Sequence, residues 1–421
     1  MVEKSVLFIS YDGMTDPLGQ SQVLPYLAGL SKLGYRFTLL SCEKPERYAQ
    51  HKAIIEEITR EHNIHWQPIS FTARPPVLAK YYDIYRLKQK AIALHRQKKF
   101  ALIHARSYVS AAIGMELKQK FGIKFLFDMR GFWVDERVDG GAWNLQNPFY
   151  RYAYQQYKKK EANYIAQSDA IISLTEAGKR EMQTWPSYGK APIQVIPCSA
   201  DFNLFGLVTP AQKALSRTSL GIKSDALVIS YLGSVGAWYL LDEMLALFKE
   251  VKKVYPQAVF LFITPEPAEE ILAPARKLGL NPADFIIRSA TRKEVPVFTA
   301  SSDINLFFIK QSYSKIASSP TKLGEILAMG LPVVCNSRVG DVAEIVANTN
   351  SGVAIDDFSP ESYKKVVAKI PELLKKNGAA IRSRAIDYYT LDNAIQKYAQ
   401  VYSYLLPEPG KKVDAFLKTV G

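Results

Sequence analysis

The feature that most limits the fold of this chain is a rhythm. Short apolar strands alternate with longer helical stretches, and the alternation runs through the sequence twice. In the first half VLFIS (6–10), FTLLSC (37–42), HWQPISF (65–71), LIHAR (102–106), KFLFDMRG (124–131), AIISLT (170–175) and IQVIPC (193–198) read as strands. Helices are expected over 21–34, after the loop DGMTDPLGQ (12–20), around 48–62 and near 77–99. The second half offers LVISYLGS (227–234), VFLFIT (259–264), FIIR (285–288) and SDINLFFI (302–309) as strands. Helices are expected over 240–256, around 267–278 and from about 360. Strands that are apolar along their length are buried on both faces, as in parallel sheets covered by helices. The reading is an α/β chain of two doubly wound domains. A length of 421 residues, too great for one ordinary core, agrees with it. The polar stretch 206–224 reads as the linker.

One stretch is rich in chemistry: SSPTKLGEILAMGLPVVCN, residues 318–336. Ser319 is expected to cap a helix whose first position is Pro320, where a missing N–H costs nothing. The amides of Thr321 and Lys322 then leave a positive helix end, a ready anion site. Glu325 lies about one turn further in, with a carboxylate suited to a sugar diol. Gly330 and Pro332 stop the helix before a buried strand. Amides for a diphosphate and a carboxylate for a ribose point to a nucleoside diphosphate site.

This segment resembles the donor site of the GT-B-fold glycosyltransferases, specifically the large retaining family four. Those enzymes carry a pair of glutamates before a helix that ends in Ala-x-Gly-x-Pro-Val-Val. Glu325 matches the second glutamate, and Ala317 stands where the first would be. VIPCSADFNLF (195–205) resembles the family's strand-to-linker segment, with Asp201 in place as a turn or cap. RSRAIDYYTLDNAIQKYAQVYSYL (382–405) resembles its closing helix pair. The resemblance implies two Rossmann-like domains facing across a cleft. The first, 1–205, would serve the acceptor and take back a C-terminal helix at about 390–421. The second, 206–389, would bind the nucleotide sugar.

Other constellations extend the reading. In the first loop Asp16, Gly19, Gln20 and Ser21 precede a helix, and Gly19 would let backbone approach a ligand. In YLGSVGAWYLLDEML (231–245), Gly233, Ser234 and Gly236 follow a buried strand. The family often places an Arg and a Lys there for the diphosphate, and this chain has no basic residue between 224 and 248. The charge would then be met by amides, by Lys322, or by Arg288 and Arg292. In FDMRGFWVDERVDGGAW (127–143), charges crowd among aromatics, and Arg130-Gly131 replaces the His-Gly of many relatives. Arg130 would meet a phosphate or an acceptor hydroxyl, with a salt-bridged structural loop as the alternative. His104 ends a strand, facing either ligand or core.

Arg130, Asp128 and Lys322 are the catalytic candidates. Glu325, Thr321, Lys322, Ser319, Gly233, Ser234, Gly236, Arg288 and Arg292 are candidates for the donor. Asp16, Gly19, Gln20 and His104 are candidates for the acceptor side. No residues have metal-ligand spacing, so no metal and no bound cofactor is expected. Cys42, Cys198 and Cys335 are scattered and suit a reducing compartment.

The formal net charge is +14. The stretch 74–99 interleaves tyrosines with Lys80, Arg86, Lys88, Lys90, Arg96, Lys98 and Lys99, and 149–160 is similar. That pattern suits an anionic membrane surface or a solvated face. No nucleic-acid motif accompanies it, and nucleic acid is not an expected partner. No stretch of 18 apolar residues occurs and the N-terminus reads as a strand, so a cytoplasmic protein is expected, with a peripheral place on the inner membrane face as a variant of that reading. The expected activity is retaining transfer of a sugar from a UDP- or GDP-sugar to a lipid-linked or saccharide acceptor, in envelope or exopolysaccharide synthesis. The rivals are a nucleotide-sugar epimerase of the same fold and a basic RNA-binding or scaffold protein. A dinucleotide-binding dehydrogenase is disfavoured because no Gly-x-Gly-x-x-Gly follows a strand.

Overall fold

The structure is a computed structural model that describes residues 4–407. The end of the expected C-terminal helix, 408–421, lies outside the described residues. The chain divides into two compact units. One runs to Pro197 and resumes at Leu391; the other is Cys198–Thr390. The division thus falls a few residues before the expected 205.

The first unit is built on strands β1 (Ser5–Ser10), β2 (Arg36–Glu43), β3 (His65–Ser70), β4 (Leu102–Arg106), β5 (Lys124–Asp128), β6 (Ala170–Ser173) and β7 (Ile193–Val195). All seven are parallel in the order β3-β2-β1-β4-β5-β6-β7. The order reverses between β1 and β4, the point where doubly wound sheets open at their carboxyl ends. β1 and β4 are buried along their whole length, as their uniform apolarity requires. Helix Leu391–Leu405 completes this core, burying Tyr398, Val401, Tyr402 and Leu405 in the same cluster as Leu27, Leu30 and Phe37.

The second unit has β8 (Val228–Leu232), β9 (Val259–Ile263), β10 (Phe285–Arg288), β11 (Ile304–Leu306), β12 (Val333–Asn336) and β13 (Gly352–Ile355). These six are parallel in the order β10-β9-β8-β11-β12-β13, reversing between β8 and β11.

Several expectations need correction. The helix expected over 21–34 is two helices, Pro17–Gln22 and Leu24–Lys32, broken at Val23, which has φ −133°. Pro25 cannot continue a helix begun upstream, because it lacks an N–H and its ring crowds the carbonyl four residues back. The supposed linker 206–224 holds a helix, Pro210–Ser219. Thr209 and Gln212 form a reciprocal capping box there, a signal present in the sequence as Thr-Pro-Ala-Gln. The 127–143 loop contains helix Trp133–Asp139.

Candidate functional site

The donor candidates gather at the carboxyl edge of the second sheet. Helix Thr321–Ala328 leads into β12, and a crossover helix runs against its strands, so its N-terminus lies at their carboxyl ends. The first-turn amides of Thr321 and Lys322 precede any intrahelical acceptor, whereas that of Leu323 bonds the Pro320 carbonyl at 3.1 Å. The helix begins one residue later than expected. Pro320 occupies the cap position with no side-chain bond, and the Ser319 hydroxyl instead accepts from the Cys198 amide at 3.3 Å. Thr321 is half-buried in the first turn. Gly330, at φ +73°, ends the segment. A side chain there would meet the Gly378 carbonyl at 2.6 Å.

Lys322 is buried, and its ammonium is drawn inward at the reversal point between β8 and β11. It lies 3.7 Å from the Tyr239 ring centroid, 4.3 Å from that of Tyr231 and 5.9 Å from that of Phe307. Its Nζ is 3.2 Å from the Tyr231 hydroxyl. Burial lowers its pKa from 10.5 to about 7, opposed by the charges of Glu325 and Glu266. Gly233 just after β8 has φ +112°, and a Cβ there would stand 3.1 Å from Lys322 Nζ. The glycine therefore does two things: it makes the turn and it clears space for the lysine. Ser234 and Gly236 are exposed on the same loop, and the Ser234 carbonyl accepts from the Tyr231 hydroxyl.

Glu325 is 5% exposed and ion-paired with Arg292, whose guanidinium also lies 4.7 Å from the Phe205 ring centroid. Burial raises the Glu325 pKa, and Arg292 and then Lys322 pull it back. Arg292 thus joins the site, whereas Arg288 ends β10 exposed and bonds its neighbour's carbonyl. The segment that carries the cage is tethered again at Trp238, whose ring lies 3.7 Å from the Lys315 ammonium. Sequence reasoning missed Tyr231, Tyr239 and Trp238; the aromatic residues that flank the Gly233–Gly236 turn were the available signal.

In the first unit, β4 and β5 bring His104, Arg106 and Asp128 together. Asp128 is 3% exposed, and its Oδ2 takes His104 Nε2 at 3.3 Å and the Tyr398 hydroxyl at 3.1 Å. Arg130 is 3.8 Å away, at φ +57° before Gly131. His104 Nδ1 meets the Tyr402 hydroxyl at 2.7 Å. Burial lowers the histidine's pKa despite Asp128 beside it, so the ring is held neutral. Desolvation raises the Asp128 pKa, but Arg130, His104 and Arg106 outweigh it and the carboxylate stays ionised. His104 is thus a buried member of the cluster rather than an exposed acceptor contact. Arg106 was missed because it meets Asp128 only when β4 pairs with β5, and Tyr398 and Tyr402 because their partners lie 270 and 298 residues away.

The acceptor loop also differs from expectation. Gly19 and Gln20 lie inside helix Pro17–Gln22, and the Gln20 amide already bonds the Asp16 carbonyl at 3.1 Å. Gly19 is needed for packing: a Cβ would stand 2.3 Å from the Gly13 carbonyl oxygen. Gln20 Nε2 bonds the Thr15 carbonyl, and Asp16 pairs with Lys44 and Arg47. Buried Glu43, missed from the sequence, pins the loop by accepting the Met14 and Thr15 amides at 2.8 and 3.0 Å. Glu43 therefore fixes the backbone of this loop.

Two family models match the chain. Residues 20–204 match Glycosyltransferase Family 4, and residues 212–388 match Glycosyl transferases group 1. The chain is a glycosyltransferase of this group 1 and family 4 kind. A D-inositol 3-phosphate glycosyltransferase from Segniliparus rotundus is 24% identical over 298 residues, 68% of this chain and 62% of that protein. The match thus spans somewhat under two thirds of that relative's length. Sucrose-phosphate synthase from Thermosynechococcus elongatus has a TM-score of 0.70 at 15% identity, over 95% of this chain and 98% of that one. Anabaena Alr3699/HepE in complex with UDP-glucose has a TM-score of 0.68 at 14% identity, over 95% and 99%. These likenesses give the glycosyltransferase a GT-B fold with two Rossmann-like domains. Among the described residues, no helix is long and apolar enough to cross a membrane.

Proposed function

We propose that this glycosyltransferase moves a sugar from a UDP-sugar to an acceptor hydroxyl with retention of anomeric configuration, in cell-envelope or exopolysaccharide synthesis. The observation that carries the donor reading is the pairing of Lys322 and Glu325 on the first turns of one helix, at the reversal point of the second sheet. Lys322, the Thr321 amide and the helix end supply positive potential for a diphosphate leaving group, and such fixed electrostatics can replace a metal ion. Glu325, oriented by Arg292, accepts from a ribose diol. Ser319, Gly233, Ser234 and Gly236 shape the same edge, and Arg288 lies on its rim. The complex of Alr3699/HepE with UDP-glucose favours uridine as the base. Arg130 and Asp128 lie on the acceptor side, and Asp128 works by holding Arg130 and His104 in place.

The protein also works at an anionic membrane surface, on a lipid-linked acceptor. Helix Pro76–Lys98 turns Leu78, Tyr81, Tyr82 and Tyr85 outward, 55–69% exposed, at the spacing of one helical stripe. Phe149 and Tyr152 are exposed on helix Pro148–Gln167. Tyrosines beside lysines suit the headgroup layer.

Calorimetry with UDP, GDP and UMP tests the donor reading. Glu325→Gln should weaken UDP by about 1.5–3 kcal/mol, the value of a hydrogen bond to a charged group, with the fold intact. Lys322→Met should weaken UDP more than UMP. Wild-type protein that binds no nucleoside diphosphate would sink the proposal, and so would sugar release from the donor that does not depend on any acceptor.

A further inference from the structure

We propose that Tyr239 is a positioning residue for the donor: its ring keeps the Lys322 ammonium charged and in place to meet the diphosphate, a role that rests on the donor reading above.

Backbone bonds fix where this ring stands. Tyr239 follows the Gly233–Gly236 turn, and its amide bonds the Gly236 carbonyl at 2.9 Å. The residues on either side are tied to the chain that leaves β11. The Leu240 amide bonds the Phe308 carbonyl at 3.0 Å, and the Lys310 amide bonds the Trp238 carbonyl at 2.9 Å. Tyr239 thus forms an isolated antiparallel bridge with Ile309. A loop that could carry the ring anywhere is held at one place beside Lys322.

Lys322 Nζ lies 3.7 Å from the centre of the Tyr239 ring. At that distance the ammonium meets the electron-rich face, an attraction felt by the charged form alone. Tyr231 stands nearly edge-on to Tyr239, 5.8 Å away at 75°, and its hydroxyl accepts from Nζ at 3.2 Å. An ammonium has three N–H donors, so this bond leaves two for a ligand. The charges around it come from two other elements. Glu325 lies on the same helix and Glu266 on the loop after β9, and both favour the ammonium. Glu325 is already paired with Arg292. Tyr231 and Tyr239 stay neutral, because burial raises the pKa of each. Burial of Lys322 opposes the carboxylates and brings its own pKa down to about 7. A lysine poised there is charged or neutral according to small differences, and one ring face is enough to matter. Packing alone asks only for an apolar side chain at 239. The face contact asks for an aromatic one, and the two demands differ in their response to pH.

The test is calorimetry with UDP on the full chain at pH 6 and pH 8.5. Wild type is compared with Tyr239→Leu and Tyr239→Phe, each also made in a Lys322→Met background. Leucine keeps water out and removes the ring face. At pH 6 Lys322 is protonated with or without the ring, so Tyr239→Leu should bind UDP within about twofold of wild type. At pH 8.5 the ammonium has to form on binding, and Tyr239→Leu should be weaker than wild type by about threefold or more. Comparing proteins at one pH cancels the titration of UDP itself. Tyr239→Phe should restore wild-type affinity at both pH values. With Lys322→Met there is no charge to hold, so Tyr239→Leu should then act equally at both pH values. A loss of one size at pH 6 and pH 8.5 in the single variant would make Tyr239 a packing residue and overturn the proposal. Wild-type affinity of Tyr239→Leu at pH 8.5 would overturn it too. If Tyr239→Leu fails to fold by circular dichroism, Tyr239→Met makes the same comparison. Wild-type protein that binds no UDP sinks the donor reading and this role together, whereas UDP binding with a pH-independent loss sinks this role alone.

Discussion

Lys322 brings a charge into a cage of rings, and the cost appears in its pKa of about 7. Unfolded, the side chain titrates near 10.5. Between about 7 and 10.5 the unfolded chain therefore binds a proton that the folded protein does not. Stability should rise with pH across that window and level off below it, where both states are protonated. Urea unfolding at pH 7 and pH 9.5, wild type against Lys322→Met, measures this. The variant should lose that rise, and an equal pH dependence in both would show that Lys322 keeps its charge when folded. A donor diphosphate favours the ammonium form, so UDP-sugar binding above pH 7 should take up a proton. This is a property no single-residue motif reveals. The lysine is plain in the sequence, but its tyrosine cage is assembled from a strand, a loop and a helix.

Helix Pro76–Lys98 shows how an element can mislead. Its basic residues drew attention in the sequence, yet several serve the protein itself. Arg86 bonds the Ser70 carbonyl, Lys88 pairs with Glu116 at 3.0 Å, and Lys80 lies over the Trp133 and Tyr157 rings. The outward stripe is aromatic. The prediction at this scale follows: replacing Tyr81, Tyr82 and Tyr85 by Ser should cut co-sedimentation with anionic vesicles several-fold. Replacing Lys88 should do little. Vesicle binding unchanged by the tyrosine changes, or absent from wild-type protein at low salt, would leave the stripe as a solvated face. Helix and strand periodicity were legible throughout the sequence, because burial on both faces forces uniform apolarity. Breaks such as Val23 were not, because they depend on where Pro25 falls within a turn.

At the scale of the molecule, the chain leaves the first unit at Pro197 and returns to it at Leu391. The return is structural: Tyr402 is fully buried and holds His104, and Tyr398 holds Asp128. A chain ending at Thr390 should therefore keep UDP binding while its first unit unfolds several degrees lower or aggregates, as seen in calorimetry and light scattering. An unchanged first transition would show that the helix is dispensable. Glycosyl transfer should also persist in excess chelator; loss restored by Mn²⁺ or Mg²⁺ would show that the helix end and Lys322 do not suffice for the leaving group. The sequence by itself determined the two parallel α/β units, since strand apolarity and helix period are local. It also placed Lys322 and Glu325 about one turn apart on a single helix, because helix period is local. Only the tertiary structure decided that Gly19 packs a helix, that Glu43 fastens a loop, and that Arg106 shares one buried edge with Asp128 and Arg130. The last two arrangements join residues that lie far apart in the chain, and their energies come from burial and charge pairing that exist only once the sheets have formed.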